Sequence, residues 1–172
     1  MRRAYPVAQT PELARWSLGA TLTIFLQLTF GASLRHIGWL PHLLWTHIGI
    51  AALVLFVGGL AAGKVLRRFR SVTLFRRPAQ GISWLLLLQV LLGILTFFWG
   101  RPVLLATVHV AVGAVLLACS VVLTVSLFYF AVYSSGPKNS WNRPLRIYLE
   151  LTKPRLTFLA VVSAALGFLM AS

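Results

Sequence analysis

Long stretches without charged residues constrain this chain more than any other feature of its sequence. Asp, Glu, Lys and Arg are absent from Trp16–Leu34, His36–Gly63, Pro78–Gly100, Pro102–Pro137 and Leu156–Ser172. About 20 apolar residues are needed to cross a bilayer, with ~17 as a lower limit. Only 10% of the residues are charged, against about 25% in soluble domains. The sequence therefore predicts an all-α, polytopic membrane four-helix bundle, with a fifth apolar helix at the C-terminus.

Composition also excludes several classes of protein. The single cysteine, Cys119, lies inside a predicted helix, which leaves no disulfide framework and no thiolate metal cluster. The first apolar stretch exceeds the 7–15 residues that are roughly typical of a signal-peptide core, so it is predicted to be retained. The net charge of +14 comes from residues that flank apolar segments, where topology signals belong. We therefore expect no nucleic-acid partner.

The basic residues lie unevenly on the two sides of the predicted bundle. One side holds most of them: Arg2, Arg3, Arg15, Lys64, Arg67, Arg68, Arg70, Arg76, Arg77, Lys138, Arg143, Arg146, Lys153 and Arg155. The other side holds Arg35 and Arg101. Because basic residues accumulate on the cytoplasmic side, the N-terminus is predicted to be cytoplasmic, in the cell (inner or plasma) membrane. The second and fourth helices then both run from the outside to the inside.

A repeat of 62 residues relates the two halves of the apolar region. The stretches LQLTFGA and LQVLLGI are separated by this interval, and a histidine follows each glutamine by 20 residues. The matched pairs are Gln27 and Gln89, Gly31 and Gly93, and His47 and His109. A bundle of two repeated helix pairs is therefore predicted.

The two repeated histidines are predicted to lie at the same depth. The second helix is expected to begin near Pro41 and the fourth near Pro102, which places His47 and His109 ~8–9 Å inside the outer boundary, at 1.5 Å per residue. In an up-down-up-down bundle these helices are diagonal neighbours, with axes ~11–14 Å apart. That separation suits two inward-pointing imidazoles on one metal. Imidazole is a common axial ligand of haem iron, so His47 and His109 are predicted to ligate haem.

Other polar residues extend this candidate site. Gln27 and Gln89 are candidates for contacts with haem edges or for hydrogen bonds across the bundle, and both interpretations stay open. Arg35 is a candidate partner for a haem propionate, because guanidinium binds carboxylates in a bidentate manner. His36 and His42 have no counterparts in the second repeat, and a second haem ligand, a substrate contact, a proton carrier and a solvated loop residue all stay open for them.

The repeat, together with LQVLLGILTFFWGRPVLLATVHVAVGAVLLA, resembles one half of the haem A synthase family over residues 15–133. The resemblance implies a bound haem b and oxidation of the methyl group of haem O, the substrate, toward haem A during cytochrome oxidase assembly. The first outer loop of the family's catalytic half carries a glutamate and a Cys-Pro-Asp-Trp-Pro segment. The corresponding ASLRHIGWLPHLLW contains neither an acid nor a cysteine.

The C-terminal stretch YLELTKPRLTFLAVVSAALGFLMA is similar to the start of the protohaem IX farnesyltransferase (haem O synthase) family. The later Asp-rich motifs of that family are absent from this chain. The resulting domain prediction is a cytoplasmic flank at 1–14, a four-helix domain at 15–133, a linker at 134–147 and a truncated haem O synthase-like start at 148–172. A fusion protein would join two consecutive steps of haem A synthesis.

Several functions stay open at this level. The first is a haem A synthase-like oxidoreductase, and the second is a non-catalytic haem carrier or assembly subunit. A fragment of a haem O synthase fusion and a small bis-histidine cytochrome b are further alternatives. The expected partners are membrane lipid, haem, haem O synthase and oxidase assembly factors, and a homodimer would rebuild eight helices.

Overall fold

Four long helices make up the part of the chain that the computed structural model describes, residues 10–37, 40–100 and 102–133. They are α1 (Thr10–His36), α2 (Pro41–Arg68), α3 (Thr73–Phe98) and α4 (Val103–Tyr133). Each is long and apolar enough to cross a membrane, which is the architecture of an integral membrane protein. The predicted fifth helix, the linker, the C-terminal domain and residues 1–9 of the N-terminal flank lie outside the described residues.

Short connections make consecutive helices antiparallel neighbours. The extensive packing contacts join α1 to α2, α2 to α3, α3 to α4, and α4 back to α1. This closed order places α2 and α4 on a diagonal, as predicted from the sequence. We call α1 with α2 the first hairpin, and α3 with α4 the second hairpin.

The helix starts follow local chemistry. Pro41 lies in the first turn of α2, where its missing N–H costs no hydrogen bond. Gly100, between α3 and α4, has a φ of 70°, a conformation that glycine adopts without steric strain. The third helix begins at Thr73, earlier than the predicted boundary near Pro78, which lies inside the helix. The uncharged stretch predicts only the membrane-spanning part of the helix. The helix itself extends beyond that part and includes Arg76 and Arg77.

The repeat in the sequence is also a repeat in the packing, because residues 62 apart are buried in matching pairs. On α1 and α3 these pairs are Leu13/Phe75, Ser17/Ala79, Ala20/Ile82, Ile24/Leu86 and Leu34/Thr96. On α2 and α4 they are Val54/Leu116, Gly58/Ser120, Ala61/Leu123, Ala62/Thr124 and Val65/Leu127. Both hairpins therefore turn the same faces toward the bundle interior.

The two ends of the bundle differ in character. At the end that carries Lys64, Arg67 and Arg68, which we call the basic end, Phe69 lies with its ring centroid 4.7 Å from that of Phe75. Phe130 meets Phe75 edge-on at 5.4 Å between centroids. These three rings close the interior there. The opposite end, which carries the two repeated histidines, is called the histidine end.

Candidate functional site

His47 and His109 occupy equivalent positions, one in each hairpin. Each is the seventh residue of its helix, since α2 begins at Pro41 and α4 at Val103. Both side chains are half-buried. Six residues of helix rise place them ~9 Å from their helix starts. The structure thus gives the two histidines matched depths, as expected from the 62-residue interval.

A glycine from the partner helix faces each imidazole. A Cβ atom added to Gly31 would lie 3.1 Å from Cε1 of His47. A Cβ atom added to Gly93 would lie 3.4 Å from Cε1 of His109. Small residues at such positions let helices approach closely in membranes. The glycine of each Gln-x-x-x-Gly stretch therefore provides room for the ring of its own hairpin's histidine.

In the first hairpin, the glutamine contacts the histidine directly. Nε2 of Gln27 lies 3.1 Å from Nε2 of His47. With this amide orientation, the Gln27 amide donates to His47, so the proton of the neutral ring is on Nδ1. Nδ1 of His47 and Oε1 of Gln27 are buried without a hydrogen-bond partner. Rotating the amide by 180° would exchange donor and acceptor but would still leave Nδ1 without a partner.

In the second hairpin, the glutamine is oriented differently. A Cβ atom added to Gly113 would lie 2.6 Å from Nε2 of Gln89 and 2.8 Å from Cδ2 of Leu28. The Gln89 amide thus covers the bare backbone of α4 one turn beyond His109, and no hydrogen bond joins it to that ring among the described residues. The first hairpin has Ala51 at the position equivalent to Gly113, where a methyl group takes up the corresponding space.

Buried polar atoms without partners are concentrated at the histidine end. In the described part of the chain they are Gln27 Oε1, His47 Nδ1, Gln89 Oε1, Thr96 Oγ1 and His109 Nδ1. A buried polar atom that lacks a hydrogen bond costs about 1–3 kcal/mol. All five belong to the two glutamine–histidine sets or to Thr96, one turn from Gly93. These five atoms give the histidine end hydrogen-bonding capacity that the described side chains do not use.

The other predicted site residues lie at the same end but on its surface. Arg35 and His36 are exposed in the last turn of α1, and His42 is exposed in the first turn of α2. Arg101 lies outside the described residues. The carboxylate of Glu12 lies at the opposite end of the bundle, the basic end, where its Oε1 accepts a hydrogen bond from Lys64 Nζ at 2.8 Å.

Sequence reasoning missed two participants in this region. Thr96 is buried, and its hydroxyl has no hydrogen-bond partner. The sequence signal that could identify it is a polar residue at the position where the first repeat has Leu34. Leu28 contacts the α4 backbone at Gly113 across the α1–α4 interface. No periodic pattern in the sequence identifies Leu28, because its contact exists only when α4 packs beside α1.

The fold and site together define a membrane four-helix protein built from two similar hairpins, each presenting a histidine at the same depth. No protein-family model matches the chain, and neither a curated protein nor a solved structure matches it.

Proposed function

We propose that this protein binds haem b, whose iron His47 and His109 would hold. The observation that carries this proposal is the matched pair of half-buried imidazoles, each with a buried Nδ1 that has no partner. Their helices lie on a diagonal of the bundle, which suits two ligands on opposite sides of one group. Within the described residues, no set of three or more His, Cys, Asp or Glu residues forms a metal site.

The surrounding residues fit haem in their chemistry. Neutral imidazole is a good ligand for iron, and a ligating histidine needs a second partner for its other ring nitrogen. With its amide rotated by 180°, Gln27 would accept a hydrogen bond from the Nε2–H of His47 through Oε1, which leaves Nδ1 of that ring to bind iron. The amide oxygen of Gln89 also has acceptor capacity that nothing in the described structure uses. Arg35, exposed at the same end, supplies a cation for a propionate. When bound, haem would supply a redox-active iron within the membrane.

The resemblance of residues 15–133 to the haem A synthase family supports a place in haem A biosynthesis. On this proposal, the protein oxidises the methyl group of haem O toward haem A during cytochrome oxidase assembly. It does so in the cell membrane, with its N-terminus in the cytoplasm. The basic end, which carries most of the Lys and Arg residues of the described helices, would then face the cytoplasm.

A second candidate function is a haem carrier or assembly subunit without catalysis. One observation favours it: neither of the two acids in the chain, Glu12 and Glu150, lies in the outer loops. The carrier would pass haem to the oxidase or to the haem O synthase that the C-terminal stretch resembles. The two candidates share the same haem site and differ only in chemistry.

The haem site is tested by the pyridine haemochrome assay and by reduced-minus-oxidised spectra of the purified protein. We expect one low-spin haem b per chain, lost in His47→Ala and in His109→Ala. Thr46→Ala is the matched control, because it alters an exposed residue of the same helix whose hydroxyl donates within that helix, to the His42 carbonyl oxygen at 2.7 Å. Full haem content in His47→Ala or His109→Ala would refute the bis-histidine site.

A second assay separates the enzyme from the carrier. The purified protein is incubated with haem O, a reductant and dioxygen, and the extracted haems are separated by chromatography. Oxidised haem O products that depend on both histidines indicate the enzyme. Retention of unchanged haem O, with transfer of haem to an acceptor protein, indicates the carrier.

A further inference from the structure

Two adjoining clefts lie at the basic end, on the face where α1 meets α2. The first has a volume of about 410 Å³ and is lined by Glu12, Leu13, Lys64, Arg67 and Arg68. The second has a volume of about 320 Å³ and is lined by Glu12, Arg15, Trp16, Gly19 and Val57. Glu12 borders both, so the two clefts meet at that residue. A cleft bordered by basic residues therefore lies next to a groove lined by Trp16, Gly19 and Val57, with Arg15 also in its lining.

The basic cleft is ordered by specific contacts. Lys64 Nζ donates to Glu12 Oε1 at 2.8 Å and lies 4.5 Å from the centroid of the Trp16 ring. Arg67 Nε donates to the carbonyl oxygen of Gly63 at 3.3 Å. Three basic side chains face one carboxylate across this cleft, so the charge in it is net positive. Such a cleft attracts an anion.

The apolar groove has a floor made by a close approach of two helices. A Cβ atom added to Gly19 would lie 3.8 Å from Cγ1 of Val57. The missing side chain at Gly19 leaves room above Val57, beside the ring of Trp16. The groove lies on the α1–α2 pair, and its lining is mainly apolar apart from Glu12 and Arg15, which suits a hydrocarbon chain.

The second hairpin does not repeat the basic cleft. The residues 62 positions after Lys64, Arg67 and Arg68 are Ser126, Tyr129 and Phe130. Phe130 packs instead against Phe69, with 6.4 Å between ring centroids. Basic residues that only set the orientation of the protein in the membrane would not need an adjoining groove, and they could lie in either hairpin. The cleft thus belongs to the first hairpin specifically.

We propose that these two clefts bind one anionic phospholipid, with its phosphate at Lys64, Arg67 and Arg68 and one acyl chain in the groove over Gly19 and Val57. Basic pockets between membrane helices recognise anionic headgroups by charge. A phosphate group is common to a phospholipid headgroup and to free phosphate. The apolar groove is the feature that favours a lipid. The site lies at the opposite end of the bundle from the histidines.

The test is native mass spectrometry of the full chain, delipidated and titrated with dioleoyl phosphatidylglycerol or dioleoyl phosphatidylcholine. We expect one tightly retained phosphatidylglycerol per chain and weaker retention of the zwitterionic lipid. The double variant Arg67→Gln/Arg68→Gln is expected to weaken retention about thirtyfold, on the order of what two basic groups contribute near an anionic surface. Equal retention of both lipids by the wild-type protein would overturn the proposal.

A matched control removes the same charge from the same end. Arg76→Gln/Arg77→Gln alters two exposed residues of α3 that line neither cleft, and we expect wild-type retention. Equal losses in the two double variants would show that only overall charge matters and would overturn the site. Both pairs of arginines are exposed, so neither double variant is expected to unfold the bundle, and tryptophan fluorescence during heating checks this.

The groove is tested separately. Gly19→Leu fills it without touching the basic residues and is expected to reduce phosphatidylglycerol retention. Gly59→Leu is the control, because no heavy atom lies within 4 Å of a Cβ added there. Soluble glycerol phosphate is the competitor that distinguishes a lipid site from a phosphate site. If glycerol phosphate displaces the lipid at equal concentration, or if Gly19→Leu binds normally, the acyl-chain assignment is wrong.

Discussion

The two hairpins share their buried faces but use their glutamines differently. Gln27 contacts His47 through a 3.1 Å interaction, whereas Gln89 covers Gly113. Position 51 and its equivalent hold alanine and glycine respectively, so the hairpin whose glutamine packs on a helix backbone is also the one that lacks a methyl group there. A duplicated framework can keep its histidines matched while their surroundings diverge.

The two interfaces between the hairpins, α4 with α1 and α2 with α3, also differ. Between α4 and α1, Oγ of Ser17 and Oγ1 of Thr124 are 2.7 Å apart, and Oγ1 of Thr21 lies 2.9 Å from Oγ1 of Thr124. The equivalents of Ser17 and Thr124 are Ala79 and Ala62, at the interface between α2 and α3. The interface between α4 and α1 thus contains a hydroxyl cluster. At the equivalent positions alanines replace Ser17 and Thr124, and Ser83 replaces Thr21, with its hydroxyl bonded within its own helix.

The largest effect that we predict from this comparison is at Gly113. Gly113→Ala would place a methyl group 2.6 Å from Nε2 of Gln89 and 2.8 Å from Cδ2 of Leu28. Overpacking of this kind costs about 1–3 kcal/mol, but both contacted atoms end flexible side chains that can shift, and alanine gains about 1 kcal/mol of helix propensity over glycine, so we expect a net loss of up to about 2 kcal/mol. The measurement is the free energy of unfolding in detergent, with Ala51→Gly as the control, for which the helix-propensity cost is at most ~1 kcal/mol.

A rescue experiment sharpens this prediction. Gly113→Ala combined with Gln89→Ala removes the side chain that meets the new methyl group most closely. We expect the double variant to recover part of the lost stability, with the remainder due to Leu28. If Gly113→Ala is as stable as the wild-type protein, the close contact at Gly113 does not distinguish the hairpins.

The second prediction concerns the two glutamines. Gln27→Leu removes the amide that contacts His47, and we expect a loss of about 1 kcal/mol, typical of one hydrogen bond. Gln89→Leu removes an amide that has no hydrogen bond to His109 among the described residues, so the expected loss is smaller. Unfolding in detergent measures both variants side by side. Equal losses would mean that the glutamine–histidine contact adds no stability of its own.

The smallest predicted effect is at the hydroxyl cluster between α1 and α4. A double-mutant cycle of Ser17→Ala and Thr124→Ala should give a coupling energy of about 0.6 kcal/mol, the average for hydrogen bonds between membrane helices. Thr124→Ala also converts this position to the residue at its equivalent, Ala62. Ser83→Ala is the control, because its hydroxyl donates within its own helix, to the Ala79 carbonyl at 3.0 Å. A coupling energy indistinguishable from zero would show that packing alone holds α1 against α4.

Much of the fold could be predicted from the sequence because a membrane simplifies the physical constraints. In a bilayer, backbone groups must pair internally, which makes a long apolar stretch a helix. Pro41 and Pro102 then mark helix starts, and the α2 and α4 boundaries agree with those expectations. The starts of α1 and α3 were less well predicted, since both helices continue beyond the uncharged stretch into residues that carry charge.

The candidate site could be predicted in its positions but not in its contacts. The 62-residue interval gave His47 and His109 their equivalent places, and the structure confirms that equivalence. Their ligation of haem stays a prediction. The different orientations of Gln27 and Gln89 were not predictable, because a pattern that repeats in sequence cannot report what a neighbouring helix places beside each copy.

By itself, the sequence determined the number of described helices, the repeated hairpins and the depth of the two histidines, all of which depend on local hydrophobicity and on spacing along a helix. Only the tertiary structure decided that Gln89 packs over Gly113, that Thr96 is buried without a partner and that Ser17 meets Thr124. It also decided that Lys64, Arg67 and Arg68 share a cleft with Glu12. These features join residues on different helices, and side-chain packing selects among such contacts only when the helices have come together.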